Sequence, residues 1–159
     1  MFTWRQFADD APELAQAGRS LLYQFGTVGL GFLATVRKDG GPRVHPMCPL
    51  LTEESLLAFI EPGPKRHDLH RDGRYALHCF PPEANEDAVY FTGQAVVVTD
   101  DAILGAATAR WLAERRLDDV PPGFVQEELF ELVIDRCLLT RTVGHGDWAP
   151  RHTVWHAGP

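Results

Sequence analysis

The tetrapeptide Lys38-Asp39-Gly40-Gly41, set between apolar, strand-like runs at 28–37 and 42–51, constrains this chain more than any other feature. Asp-Gly and Gly-Gly supply the positive-φ positions of a tight hairpin, so the two runs must pair antiparallel rather than through a crossover. The pattern repeats downstream. Thr52-Glu53-Glu54 turns the chain into a third strand at 55–60, which ends at Glu61-Pro62-Gly63-Pro64. Residues 75–80 and 88–99 read as further strands, and 129–143 alternates in the same way. The stretch 144–150 is turn-rich, with a terminal strand predicted at 153–156.

Three helices flank these strands. Asp10 with Glu13 three residues later reads as a capping box. Leu14, Ala17, Leu21, Leu22 and Phe25 then recur at helical spacing until Gly26, which gives one amphipathic helix within 1–26. Residues 65–72 form a short charged helix around Leu69, stopped by Gly73. Asp100 or Asp101 caps a third helix running to about Arg116, with Ile103, Leu104, Ala107, Trp111 and Leu112 as its inward stripe. Strands joined by hairpins, with no strand–helix–strand alternation and no repeat, predict a mainly β protein with flanking α-helices. Six or seven antiparallel strands closing into a small barrel would hide the sheet edges.

Size and charge narrow the function. At 159 residues and 45% hydrophobic content, the chain can form a single domain over 1–159 without disulfides or a structural metal. Cys48, Cys79 and Cys137 are odd in number, far apart and next to apolar residues, which predicts buried, reduced thiols. The apolar runs at 28–36 and 95–98 are too short to cross a membrane, which takes about 20 residues. The opening Met-Phe-Thr-Trp-Arg-Gln has neither basic leader nor apolar signal core, so a cytoplasmic location is expected. A net charge of −7 argues for no nucleic-acid partner, and any anionic ligand must meet a local basic pocket.

The motifs are informative in their order. A first strand ends in Ala34-Thr35-Val36, followed by the Asp39-Gly40 hairpin, Pro42-Arg43-Val44-His45-Pro46 and a Lys65-headed helix containing Leu69. Then come Asp72-Gly73-Arg74-Tyr75-Ala76-Leu77 and Phe91-Thr92-Gly93-Gln94-Ala95. This order, over about residues 26–100, resembles the pyridoxamine-phosphate-oxidase-like superfamily. That superfamily includes flavin-dependent oxidases and reductases, deazaflavin-dependent reductases and haem-handling members.

The resemblance implies a split β-barrel that works as a homodimer, with the flavin site built from both chains and open to a small-molecule substrate. It implies that Arg43, Val44, His45 and Pro46 run along the flavin, with Arg43 towards the phosphate, and that Phe59 and Ile60 also bind the cofactor. Lys65 pairs with the phosphate, assisted by Arg66. The tail at 144–159 caps the site, with Trp148 or Trp155 against the cofactor edge and Arg151 facing an anionic group. FMN is the expected cofactor. The deazaflavin coenzyme F-420, whose acidic tail would use Lys65, Arg71 and Arg74, is the alternative, and haem a further one. Members of the family commonly place a hydroxyl residue just before the lysine, whereas Gly63 and Pro64 stand there in this chain.

Without the resemblance these features have plainer readings. Arg43 and Lys65 are ordinary surface cations, and His45 is a strand histidine. His67 and His70 share a helix face but lack a third ligand, so no metal is expected. The tail holds three His, one Asp, one Arg and two Trp within 144–156, and its tryptophans could simply cover the barrel end. The sequence favours an FMN-binding oxidoreductase of unknown substrate, with a deazaflavin-dependent reductase or a non-catalytic flavin- or haem-binding protein as alternatives.

Overall fold

A computed structural model describes residues 1–158; Pro159, the end of the expected tail, lies outside it. The hairpin at Lys38-Asp39-Gly40-Gly41 joins β1 (Gly31–Val36) to β2 (Pro42–Met47), in a register that sets Leu33 opposite His45 and Thr35 opposite Arg43. Gly40 takes φ 83°, the left-handed conformation such a turn requires. β3 (Leu50–Leu51), β4 (Leu56–Ile60), β5 (Arg74–Cys79), β6 (Ala88–Val97), β7 (Glu128–Arg141) and β8 (Arg151–His156) complete one antiparallel sheet. Eight strands are present rather than six or seven, because the run at 42–51 divides at Cys48-Pro49.

That division closes the barrel. The sheet order is β2-β1-β5-β6-β7-β4-β3, so β2 and β3 lie at opposite ends of the path. Only Cys48 and Pro49 connect them, which holds Met47 and Leu50 within about 11 Å, three Cα steps of 3.8 Å. The sheet must curl until its ends meet. β7 pairs with β6 along one side. On the other side its first part faces β4 and its last part faces β8, with a bridge from Phe2 to Ile134 between them. At the β6–β7 bulge a side-chain carbon on Gly93 would stand 1.8 Å from the Val133 carbonyl oxygen, so only glycine permits this approach.

Alternation then sorts the faces. Leu33, Leu77, Phe91 and Cys137 share an inward row that Trp155 extends, while Ala34, Ala76, Thr92 and Arg136 share an outward one. Two helices pack on the inward face where one amphipathic helix was expected. α1 (Trp4–Asp10) starts at a Thr3–Gln6 capping box, and α2 (Pro12–Leu22) starts at a proline. The helix breaks at Ala11 because Pro12 lacks an N–H and excludes the helical conformation from the residue before it. Asp10 therefore caps nothing; its carboxylate accepts a 2.6 Å hydrogen bond from the Trp155 indole. Phe25, beyond the end of α2, is exposed.

α3 (Pro64–Arg71) and α4 (Asp101–Arg115) follow the predicted spans, and Asp100 caps α4 by accepting from the Ala102 and Ile103 N–H groups. The predicted stripe of α4 is only partly buried. Ala107 and Trp111 pack with Leu50, Leu57 and Leu129, whereas Ile103 and Leu104 stand exposed. Cys79 and Cys137 are buried thiols, but Cys48 is exposed because it sits in the two-residue link between the sheet ends. No helix among the described residues is long and apolar enough to cross a membrane.

Candidate functional site

The closure that brings β2 to β3 also forms a cavity. Where β2 and β4 end, α3 begins and α4 ends, a space of about 250 Å³ is walled by Pro46, Met47 and Cys48 on one side. Phe59, Lys65, Trp111 and Arg115 form the other, together with the carboxylates of Glu61 and Glu127. Three of the sequence-predicted residues, Pro46, Phe59 and Lys65, thus share one cavity. Pro64 fills the first helical position of α3, where its missing N–H costs nothing, and so starts the helix with Lys65 at the cavity wall. Glu127, half-buried, has its carboxyl held above the usual range by burial and by Glu61, while Arg115 and Lys65 pull it back.

Aromatic stacking gives this wall its shape. Phe59 and Trp111 each lie against Phe124, with centroids 4.7 and 4.5 Å away, and the Arg115 guanidinium sits 4.2 Å over the Trp111 ring. From the sequence, Trp111 was only part of a helix stripe and Arg115 carried no role. The missed signal is their i, i+4 spacing near the end of α4, which sets a cation over an aromatic ring.

Arg43 is held by a group the sequence did not single out. Its Nε donates to Asp68 Oδ2 at 2.6 Å, Thr35 Oγ1 donates to the same oxygen at 3.1 Å, and Arg71 Nη2 donates to Oδ1 at 3.1 Å. Burial pushes the Asp68 carboxyl up, but the bonds from Arg43, Arg71 and Thr35 outweigh it and hold the group below its usual range. Arg71 also donates to the Val36 carbonyl. The signal in the sequence is an acid beside Leu69, the one apolar position of a basic helix, and therefore on its inward side. Val44 and His45 are exposed on β2, the end strand, while Ile60 is fully buried in the core.

Arg66 turns away from Lys65. It donates to the Gln126 carbonyl at 2.7 Å and lines a second cavity of about 540 Å³ with His67, His70, Glu128 and Leu104. There His70 Nε2 lies 2.6 Å from Glu128 Oε2.

The tail takes a third direction. Arg151 and Trp155 lie on β8, paired with the far end of β7, and no residue of 144–158 lines the Lys65 cavity within one chain. Trp155 packs edge-on against Phe7 and Phe2, with centroids at 4.8 and 5.4 Å, and is bonded to Asp10. Trp148 covers no part of the barrel and is fully exposed.

Solved structures with this fold are numerous. A haem-binding protein from Mycobacterium smegmatis superposes with a TM-score of 0.62 at 18% identity, over 88% of this chain and 57% of that one. The chain thus spans little more than half of that protein's length. An F420 reductase superposes at 0.59 and 21% identity, over 75% of this chain and 94% of that one. HutZ, a haem storage protein from Vibrio cholerae, does so at 0.57 and 16%, over 79% and 89%. At such identities the likeness is one of fold. No curated protein matches the sequence at a significant level. The family model described as pyridoxamine 5'-phosphate oxidase matches residues 22–141, from the end of α2 through β7 and so well over half the chain. By that match, the chain belongs to the pyridoxamine 5'-phosphate oxidase family.

Proposed function

We propose that this protein is an FMN-binding oxidoreductase acting as a homodimer on a small-molecule substrate. The observation that carries the reading is the cavity that joins Lys65 to Pro46, Phe59 and Trp111. The donor set suits FMN: a cation answers a phosphate, and flat apolar side chains answer the faces of an isoalloxazine ring. Bound flavin would supply the hydride or electron chemistry, and the protein would supply binding and orientation. Lys65 would bind the phosphate, while Val44, His45 and Pro46 would line the ring. Arg43, fixed by Asp68, would add positive potential from β2.

The dimer reading rests on the outward sheet face. Phe32, Val44 and Val154 lie exposed there, and Arg136, on the same face, has a buried Nε with no hydrogen-bond partner among the described residues. A second copy covering this face would bury the apolar side chains and could partner Arg136. Trp148 and Arg151, both exposed on their own chain, would then reach the partner's cavity.

The deazaflavin alternative fits less well. Arg74 is paired with Asp72 at 2.7 Å and Arg71 with Asp68, so two of the cations an acidic tail would need are already engaged.

Titration of dialysed protein with FMN, followed by flavin fluorescence, tests the reading beside the same titration of Lys65→Ala. Saturable binding at micromolar concentrations or below, weakened at least about tenfold in the variant, is the expected result, since one charge-assisted bond contributes about 1.5–3 kcal/mol. Failure of the wild type to bind FMN would end the flavin proposal. Uptake of F-420 or haem instead, seen in the absorption spectrum, would replace it with one of those two.

A further inference from the structure

We propose that Arg115 is a second anion-binding residue, forming with Lys65 a two-cation clamp for a phosphate monoester. The inference deepens the flavin reading and rests on it for the identity of the ligand.

Arg115 lines the same cavity as Lys65 although it comes from a different element, the last turn of α4. Its guanidinium is held over Trp111 at 4.2 Å, and its Nη1 donates to the Trp111 carbonyl at 3.4 Å. Because Trp111 is braced by Phe124, the cation is fixed before any ligand arrives, so little side-chain entropy remains to be lost on binding. Its side chain is only 20% exposed, which strengthens its field in the cavity.

The charge of Arg115 is also incompletely answered. Its partner in the ion-pair network is Glu114, whose Oε2 stands 4.0 Å from Nη1 and accepts no hydrogen bond among the described residues. Arg110 and the Tyr23 hydroxyl bind the other oxygen, at 3.0 and 2.8 Å. Other arginines are differently placed: Arg43 and Arg71 are bonded to Asp68, Arg74 to Asp72, and Arg141 to Asp87. Glu61 and Glu127 compete for the two cavity cations. Burial and Glu61 raise the pKa of Glu127, while Arg115 and Lys65 lower it.

The clamp also fits the departure at Gly63-Pro64. Where the resemblance calls for a hydroxyl donor beside the lysine, this chain has none, and a guanidinium from α4 supplies donors to the same cavity. Two cations lining one cavity suit a doubly charged monoester better than a singly charged carboxylate.

The test measures ³¹P line broadening of inorganic phosphate by wild-type protein, Lys65→Met, Arg115→Met and Arg115→Lys. Methionine keeps an unbranched stem over Trp111 and removes the charge. Broadening by the wild type, lost in both methionine variants and partly restored by lysine, supports the clamp, provided that the circular dichroism melts coincide. Broadening that Arg115→Met retains, or none by the wild type, overturns it. FMN and riboflavin titrations of the same proteins test the ligand separately. Arg115→Met should weaken FMN about tenfold, the loss of one charge-assisted bond, and leave riboflavin unchanged. Equal weakening of both ligands overturns the assignment of Arg115 to the phosphate. Phosphate binding without flavin binding would leave the clamp standing and remove the flavin reading alone.

Discussion

The two ends of β7 each have a tryptophan and an arginine beside them, but they differ in what surrounds them. Near the start, Trp111 and Arg115 of α4 line an open cavity together with Lys65, and their nearest acids leave the guanidinium without a hydrogen-bonded carboxylate among the described residues. At the far end, Trp155 of β8 is packed on Phe2 and Phe7 with its indole N–H bonded to Asp10, and Arg151 lies at the sheet surface. The difference lies in strand pairing. Opposite β8 the inward face is filled by α1, whereas opposite β4 the short β3 leaves room that α4 only partly fills. A cluster of chemically capable residues is a site only where the sheet leaves a hole.

The largest expected effect is at the closed end. Trp155→Ala should destabilise the fold by about 3 kcal/mol, the lower part of the range for large aromatic truncations because the side chain is only partly buried. Urea denaturation measures this, and flavin affinity of the folded variant should be unchanged. A stable Trp155→Ala protein with weakened flavin binding would move this tryptophan from the core to the site.

Asp68 is expected to have the next largest effect, since it anchors Arg43 and Arg71 from a nearly buried position. Asp68→Asn should cost about 2 kcal/mol at neutral pH by leaving two guanidinium groups without their charge partner. Its folded carboxyl titrates below the unfolded value of about 3.9. The unfolded chain therefore takes up the proton first as pH falls. The stabilisation is fully present above that unfolded value and is lost as pH drops through the depressed folded one. Melting temperatures from pH 7 to 3 should accordingly fall less steeply for Asp68→Asn than for wild type. Parallel curves would show that the Arg43–Asp68–Arg71 group does not contribute to acid sensitivity.

How much of this was legible depended on whether the determinant was local. The Asp-Gly hairpin, the Gly73 stop and the Asp100 cap are set by neighbours in sequence, and the corresponding elements lie where they were predicted. The first helix, Trp4–Asp10, was also written locally, in the Thr3–Gln6 capping box, but in the sequence Asp10 with Glu13 reads as the first cap. The cavity depends on long-range closure. Lys65, Pro46 and Phe59 could be gathered from a family order, but Asp68 binds Arg43 25 positions away, and Arg115, although stacked on its neighbour Trp111, shares a cavity with residues of distant elements. Arg43 of β2 meets Asp68 of α3, and Arg115 of α4 lines one cavity with Lys65 of α3. The density of tail residues was visible in the sequence, while the α1 surface on which Trp155 packs was not.

Trp111 sharpens the comparison from the open end. Trp111→Leu should cost about 1 kcal/mol, since the side chain is half-buried and leucine refills part of its volume. It should nevertheless weaken FMN several-fold by releasing Arg115 from its ring and removing a flat wall. The larger loss of stability would thus fall on Trp155→Ala and the loss of affinity on Trp111→Leu alone. A Trp111→Leu protein with wild-type affinity would show that the aromatic platform does not organise the site.

The smallest effect should come from Glu127, the acid between the two cations. Glu127→Gln removes the negative charge that opposes an incoming phosphate, so FMN affinity at pH 7 should rise, by less than about tenfold for one partly solvated charge. Glu61, Lys65 and Arg115 are the other charges facing it, and they are unchanged in the variant. Since burial and Glu61 raise its pKa, wild-type Glu127 gains a proton before an ordinary glutamate does as pH falls. The affinity ratio of Glu127→Gln to wild type should therefore shrink towards one on acidification, and the ligand's own protonation cancels in that ratio. A ratio of one already at pH 7 would mean that Glu127 exerts no field on the bound anion. The phosphate would then lie away from Glu127, and the weight of recognition would pass from Arg115 back to Lys65.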